Sequence, residues 1–326
     1  MKPALTVNLL LLAAVVSGCA PASPTPQAGP REVLFWHFWG GKEQAVVEEV
    51  VRRFNAQQHE HVVRAVAMPG NNLDLKLFLA ITGGAPPDLV NQDDPILADW
   101  AARGAILPLS EFVPPAELQT LESWLFPAAW SLTAYRDTPY GLCNGLDVRA
   151  LLYNQTVLDT YGLSPPETLE QLDQLAETIT PSNTTEIRRM AFFPRPRNLW
   201  AWGIVFDGQF YDPVTGQITL DQPGVVRALR WMASYGARYG DAAVSFRTRD
   251  QSLPGQAFPL VSGRYVAVVD GQWRVNDIRA AQAAQRRKGE PVTHYGVAPL
   301  PVPSHGRSRA GWINGNFFVV PRGSQN

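Results

Sequence analysis

Apolar and polar positions along this chain follow two rhythms. Glu32-Val33-Leu34-Phe35-Trp36-His37-Phe38-Trp39 is a nearly unbroken apolar run closed by Gly40-Gly41, which predicts a strand. From Lys42 to Gln58 the apolar residues Ala45, Val46, Val50 and Phe54 fall at helical spacing instead. His61 to Met68 reads as a second strand and Leu73 to Thr82 as a helix. Asp88-Leu89-Val90 reads as a short buried strand behind Gly83-Gly84-Ala85-Pro86-Pro87. Pro95 to Arg103 is the next helix, stopped by Gly104, with Ile106-Leu107-Pro108-Leu109 behind it. Strands alternating with helices imply an α/β fold on a parallel sheet.

The texture changes at Tyr140. Tyr140-Gly141-Leu142-Cys143-Asn144-Gly145-Leu146-Asp147, then the apolar strand Leu151-Leu152-Tyr153 closed by Asn154, reads as the chain crossing between two lobes. Thr168 is a helix N-cap with Gln171 at capping-box spacing. Trp200 to Phe210 is aromatic and contains glycine, and Tyr211-Asp212-Pro213-Val214-Thr215-Gly216 is turn chemistry. Pro223 to Tyr235 is helical, and Phe258 to Gly263 precedes a strand from Tyr265 to Val269 and then Asp270-Gly271-Gln272-Trp273. Two prolines confine Tyr295-Gly296-Val297-Ala298-Pro299-Leu300-Pro301 to extended backbone, as a return crossing needs. Gly311-Trp312-Ile313-Asn314-Gly315-Asn316 reads as a glycine-flanked loop leading into a last strand, Phe317 to Val320. Because Pro321-Arg322-Gly323-Ser324 after a strand normally introduces a helix, the chain is expected to be truncated at its C-terminal end.

The first residues follow neither rhythm. A lone Lys2, an apolar run from Leu9 to Val16 and then Val16-Ser17-Gly18-Cys19 form a lipobox-like export signal. The run is shorter than the ~20 residues that span a bilayer, and Pro21, Pro24 and Pro26 forbid a continued helix. Residues 1–19 are therefore expected to be a cleaved lipoprotein signal with Cys19 as the lipidated residue, and residues 20–30 a Pro-rich tether on the outer side of the membrane. An ordinary secretory signal is the competing reading. Lipidation of Cys19 leaves Cys143 alone, so no intrachain disulfide is expected.

The 28 basic and 29 acidic residues nearly cancel, and loss of the signal removes Lys2 and no acid. This balance argues against a nucleic-acid partner. Catalytic signatures are also sparse. Gly40-Gly41-Lys42 has Trp36 where a phosphate loop needs its first glycine, and no Ser or Thr follows the lysine. No Gly-x-Ser-x-Gly elbow occurs. His59 and His61 lack further ligands at metal spacing and read as a solvated pair opening a strand. No cofactor, metal or catalytic residue is expected.

The order of motifs carries a resemblance. The lipobox, Phe35-Trp36-His37-Phe38-Trp39, Thr82-Gly83-Gly84-Ala85-Pro86-Pro87-Asp88-Leu89-Val90 and Gly104-Ala105-Ile106-Leu107-Pro108-Leu109 resemble the N-terminal lobe of family 1 extracellular solute-binding proteins, the maltose-binding type of sugar receptor. Leu152-Tyr153-Asn154, Gly162-Leu163-Ser164-Pro165-Pro166-Glu167-Thr168, Phe206-Asp207-Gly208-Gln209-Phe210-Tyr211-Asp212 and Gly263-Arg264-Tyr265 through Trp273 follow in the family's order. Cys143 stands where the family usually has proline.

The resemblance implies a two-lobe α/β fold of the type II periplasmic-binding kind with a ligand cleft between lobes. Residues 31–145 and 300–326 would form the N-terminal lobe and residues 146–299 the C-terminal lobe, with hinge closure about 142–149 and 295–301. It also implies a monomeric, lipid-anchored receptor that binds a sugar, oligosaccharide or polyol and hands it to the permease subunits of an ABC importer. The site residues it suggests are Trp39, Gly41, Asn91, Gln92, Asp93, Asn144, Asp147, Trp200, Trp202, Trp273, Trp312 and Asn314, with Trp273 as the stacking aromatic. Each has a bland alternative. Trp36, Phe38, Trp39 and Trp312 could be packing, and Asp93 or Asp94 could cap the helix at Pro95. Asp88 reads as structural. Arg149, Arg195, Arg197 and Arg274 keep a phosphorylated ligand open. The alternatives from other classes are a surface glycosidase and an adhesive or signalling lipoprotein.

Overall fold

A computed structural model of the chain describes residues 29–68, 72–93, 96–183, 186–251 and 258–326. Cys19, Asp94 and Pro95 lie outside the described residues. The chain divides into two compact units, one holding residues up to Asn91 together with Val320–Asn326, the other holding Gln92–Val319.

The first unit contains β1 (Arg31–His37), α1 (Gly41–Gln57), β2 (His61–Ala67), α2 (Leu73–Thr82) and the start of β3 (Leu89–Asp93). β1 lies between two parallel neighbours, with Arg31 opposite His61 of β2 and Phe35 opposite Leu89 of β3. Parallel neighbours require crossovers, which the two helices provide. Gly41 opens α1 at φ 60°, a left-handed backbone that strains any residue with a side chain. Phe35, Leu73, Leu77 and Val90 are buried together with His37 and Asn91. α1 forms where its apolar spacing put it, yet Val46, Val50 and Phe54 remain 63, 60 and 46 % exposed. Periodicity gave the helix, but burial of that stripe does not follow from it. Asp88 has the structural role read from its position. One carboxylate oxygen accepts from the Leu34 N–H at 2.8 Å, and the other accepts from the Ser324 hydroxyl and the Asn326 N–H, each at 3.1 Å.

The second unit continues with α3 (Leu97–Ala102), α4 (Pro115–Trp124), α5 (Pro127–Leu132), the short hairpin β4 (Ala134–Tyr135) and β5 (Thr138–Pro139), and β6 (Gly141–Asn154). Then come α6 (Gln155–Tyr161), α7 (Leu169–Ile179), α8 (Leu199–Val205), α9 (Pro223–Gln251), β7 (Ala267–Gly271), α10 (Arg274–Lys288), β8 (Tyr295–Ala298) and β9 (Ile313–Val319). The two segments read separately around Asp147 and Leu151 are one strand of 14 residues, β6. It pairs antiparallel with β9 over residues 141–148, with β7 over 149–153 and with β8 over 151–154. A bulge between Cys143 and Gly145 interrupts the first ladder, at Asn144.

Below β6 lies an apolar core that includes Leu151, Leu158, Leu172, Met190, Phe192, Trp202, Tyr235 and Val266. α7 starts with the capping box read from sequence: Thr168 Oγ1 accepts from the Gln171 N–H at 3.2 Å, and Gln171 Oε1 accepts from the Thr168 N–H at 3.2 Å. α9 runs well past Tyr235, turning at Gly240 (φ 48°, ψ −134°). Two expectations are corrected here. Asn314 stands inside β9 rather than in a loop, because the ladder with β6 already begins at Ile313 opposite Val148 and Gly315 is a strand residue packed close to the Gly145 carbonyl. α10 was not read at all, and it buries no residue, so no apolar stripe marks it.

Candidate functional site

Four residues from the sequence reading converge in the second unit, on adjacent strands. Asp147 of β6 stands opposite Asn314 of β9, while Arg149, two residues along β6, stands opposite Gly271 at the end of β7. Successive side chains of a strand alternate faces, so Asp147 and Arg149 share one. Trp273 follows β7 and Trp312 precedes β9, and the Arg149 guanidinium lies over both indoles, 4.4 Å from the Trp273 ring centre and 4.8 Å from that of Trp312. Gly271 makes this possible: a Cβ there would fall inside the Trp273 ring.

Gln272 ties the group to the strand. Its amide donates to the Leu146 carbonyl at 2.6 Å and to Asp147 Oδ1 at 3.2 Å, and its carbonyl accepts from the Val148 N–H at 3.0 Å. Burial pushes the Asp147 carboxyl above its usual range, with the Arg149 charge and the Gln272 amide pulling the other way. Burial also lowers the Arg149 guanidinium, against the stabilising charges of Asp147 and Asp270. Alongside, Asp93 Oδ1 accepts from the side-chain amides of Asn314 and Asn316, both at 3.0 Å. Beside it in β3, the Gln92 side-chain Oε1 accepts from the Asp93 N–H at 2.9 Å. These groups offer planar amides, carboxylates, a guanidinium and indole surface, the set from which hydroxyl-rich ligands are recognised.

The remaining candidates lie elsewhere. In the first unit Trp39 is half-buried just past β1, its ring centre 6.1 Å from that of His37. Asn91 is wholly buried opposite His37. Burial lowers the His37 imidazole below the usual histidine value, outweighing the Glu48 charge. Asn144 projects at the bulge and is exposed. Trp202 is a correction: it has no exposed surface and packs 4.6 Å from Trp231 and 6.2 Å from Phe192, ring centre to ring centre, so it is core and faces no ligand. Trp200, on the same helix α8, is half exposed and rests on Phe210, outside the Asp147 group. Sequence reasoning passed over Gln272 and Asn316 and left Arg149 off the site. The signal for Arg149 was its place two residues from Asp147 on a strand.

This architecture has known counterparts. The model of the bacterial extracellular solute-binding protein family matches residues 40–326, and the chain belongs to that family. It is similar to a maltotriose-binding protein of Pyrococcus abyssi, 23 % identical over 275 residues, which cover 84 % of this chain and 54 % of the relative. An uncharacterized lipoprotein of Streptomyces antibioticus is 22 % identical over 317 residues, 94 % of this chain and 66 % of that one. The chain thus spans between half and two thirds of the length of these relatives. Among solved structures, CpMnBP1 with mannotriose bound superposes with a TM-score of 0.76 at 26 % identity, covering 90 % of this chain and 74 % of that one. The GacH receptor of Streptomyces glaucescens, solved unliganded and with acarbose, gives a TM-score of 0.70 at 23 % identity over 91 % of this chain and 73 % of that one. The fold is that of the type II periplasmic sugar-binding proteins. Among the described residues no helix is long and apolar enough to cross a membrane.

Proposed function

We propose that this protein is the extracytoplasmic saccharide receptor of an ABC importer, held at the membrane through a lipid on Cys19, and that it returns its ligand chemically unchanged to a permease. The observation that carries this is the likeness, over 90 % of the chain at 26 % identity, to a protein with mannotriose bound. The Pyrococcus abyssi relative is a maltotriose-binding protein, which favours capture over turnover. The ligand site of the second unit centres on Asp147, Trp273, Trp312 and Asn314, with Asp93 and Gln92 beside it, and Trp39, Gly41 and Asn91 are the candidates of the first unit.

The test is a thermal-shift screen of the purified protein against mono- and oligosaccharides, polyols and amino acids, with the bound compound recovered and weighed by mass spectrometry. Ligand at a hundredfold over Kd stabilises the native state by about 2.7 kcal/mol, enough to read as a clear shift. One saccharide that raises Tm and is recovered intact supports the receptor. A cleaved saccharide supports a glycosidase, and no shift with any compound sinks the reading. Trp273→Ala is expected to weaken binding of the compound found, while leaving the fold intact.

A further inference from the structure

The Arg149 guanidinium is held by two indoles yet has no acceptor. Its Nη1 is enclosed and makes no hydrogen bond, and no ion pair to Arg149 forms among the described residues. The nearby carboxylates are all engaged elsewhere. Asp147 accepts from Gln272 at 3.2 Å, Asp270 accepts from Arg274 at 3.1 Å and pairs with Arg195 at 3.8 Å, and Asp93 takes the amides of Asn314 and Asn316. A partly desolvated cation without an acceptor is costly, so a fold that keeps one has a use for it.

The neighbouring space points to the same chemistry. A pocket of about 580 Å³, bordered by β6, β8 and the approach to β9, includes Arg149, Trp312, Arg307 and Arg309 in its lining and no acidic residue. Arg307 is paired with Asp207 at 2.6 Å, which leaves Arg149 and Arg309 as its uncommitted charges. A pocket of this size accommodates a small saccharide.

We propose that Arg149, mounted on Trp273 and Trp312, forms an oxyanion subsite, and that the ligand is a saccharide carrying a carboxylate or phosphate group. This rests on the reading of the chain as a saccharide receptor. It reassigns the two indoles from stacking platforms for a sugar ring to a mount for a cation. The two indoles fix the guanidinium in place, and its Nη1 has no protein acceptor to give up before it meets a ligand. A guanidinium fork donates to two oxygens of a carboxylate or phosphate at once, whereas a hydroxyl supplies one oxygen and brings no charge.

The experiment is calorimetric titration of the whole protein at low and high ionic strength with three probes of equal length: a neutral maltooligosaccharide, an oligogalacturonate and a phosphorylated maltooligosaccharide. The wild-type protein is expected to prefer one charged probe over the neutral one by about tenfold or more, with an affinity that falls as salt rises. Which charged probe wins separates carboxylate from phosphate. Arg149→Gln is expected to lose about tenfold to hundredfold for the charged probe, the worth of a hydrogen bond to a charged group, and to lose much less for the neutral one, so that the preference between the two collapses. Arg149→Lys should recover part of the loss. If the wild-type protein binds the neutral probe as tightly as either charged one, the oxyanion subsite is wrong and the receptor stands, a result that needs no variant to fold. If none of the three probes binds, the oxyanion subsite falls, while the receptor reading is decided by the wider thermal-shift screen.

Discussion

Trp200 and Trp202 sit two residues apart on one helix, and replacing each with alanine should give very different answers. The Trp202 side chain has no exposed surface, and alanine there would remove its ring contacts with Trp231 and Phe192. Loss of a buried tryptophan costs about 3–5 kcal/mol, its ring contacts included, and full burial against two aromatic partners puts Trp202 in the upper part of that range. Its indole nitrogen has no hydrogen-bond partner among the described residues, so the deletion strands no polar group and the figure rests on packing alone. About 4–5 kcal/mol is therefore expected. Trp200 is 50 % exposed and loses mainly its contact with Phe210, ring centres 4.5 Å apart, which should cost about 1–1.5 kcal/mol. Urea unfolding followed by far-ultraviolet circular dichroism would resolve the two. With an m-value of about 3 kcal/mol per molar, Trp202→Ala should lower the midpoint by more than about 1 M and Trp200→Ala by less than half of that. Acrylamide should quench less emission in Trp200→Ala than in the parent, because one exposed indole is gone while Trp124 remains. Equal midpoint shifts for the two variants would refute the placement of Trp202 in the core.

Three further predictions follow the same logic. Asp88 is pushed up by burial, but the N–H of Leu34 and the donors of Ser324, Asn326 and Gln325 outweigh this and hold it below its usual range; its stabilising effect is thus full above the unfolded value of about 3.9 and is lost as pH falls through the lower folded value. Asp88→Asn should therefore be less stable near neutrality and show a flatter fall of Tm between about pH 5 and 2, and an acid limb identical to the parent's would contradict it. Gly271→Ala has no backbone penalty to meet, since Gly271 is not among the left-handed glycines, and must instead displace the Trp273 ring; near-ultraviolet dichroism should change at constant far-ultraviolet signal, with about 1–3 kcal/mol lost to overpacking. Thr168→Ala should cost about 1 kcal/mol by removing half of the capping box, and Gln171→Ala added to it should cost less than its effect alone.

Much of this fold is written in local pattern. The strands and helices from β1 to β3, the glycine stop after β1 and the capping box of α7 all depend on residues within a few positions of each other. What escaped depends on the partner. The stripe Val46, Val50 and Phe54 marks a helix but cannot say that its face stays open. Trp202 has the composition of a ligand-facing aromatic, and only the positions of Phe192, Trp231 and Tyr235, brought in from other segments, make it core. At the site, Asp147, Trp273, Trp312 and Asn314 were legible as types suited to sugar hydroxyls. The contact of Arg149 with both indoles was not, because it joins residues 124 and 163 positions apart in the chain, through the register of three strands.

One row of side chains on β6 passes from Asp147 and Arg149 at the site to Leu151 and Tyr153 in the core, with no irregularity between them. Inserting or deleting a single residue between Arg149 and Leu151 would turn Asp147 and Arg149 to the opposite face relative to the core half of the strand. The strand thus acts as a ruler: side chains beside Asp147 and Arg149 can be exchanged at fixed length without disturbing the core, whereas a change of length cannot be confined to one end.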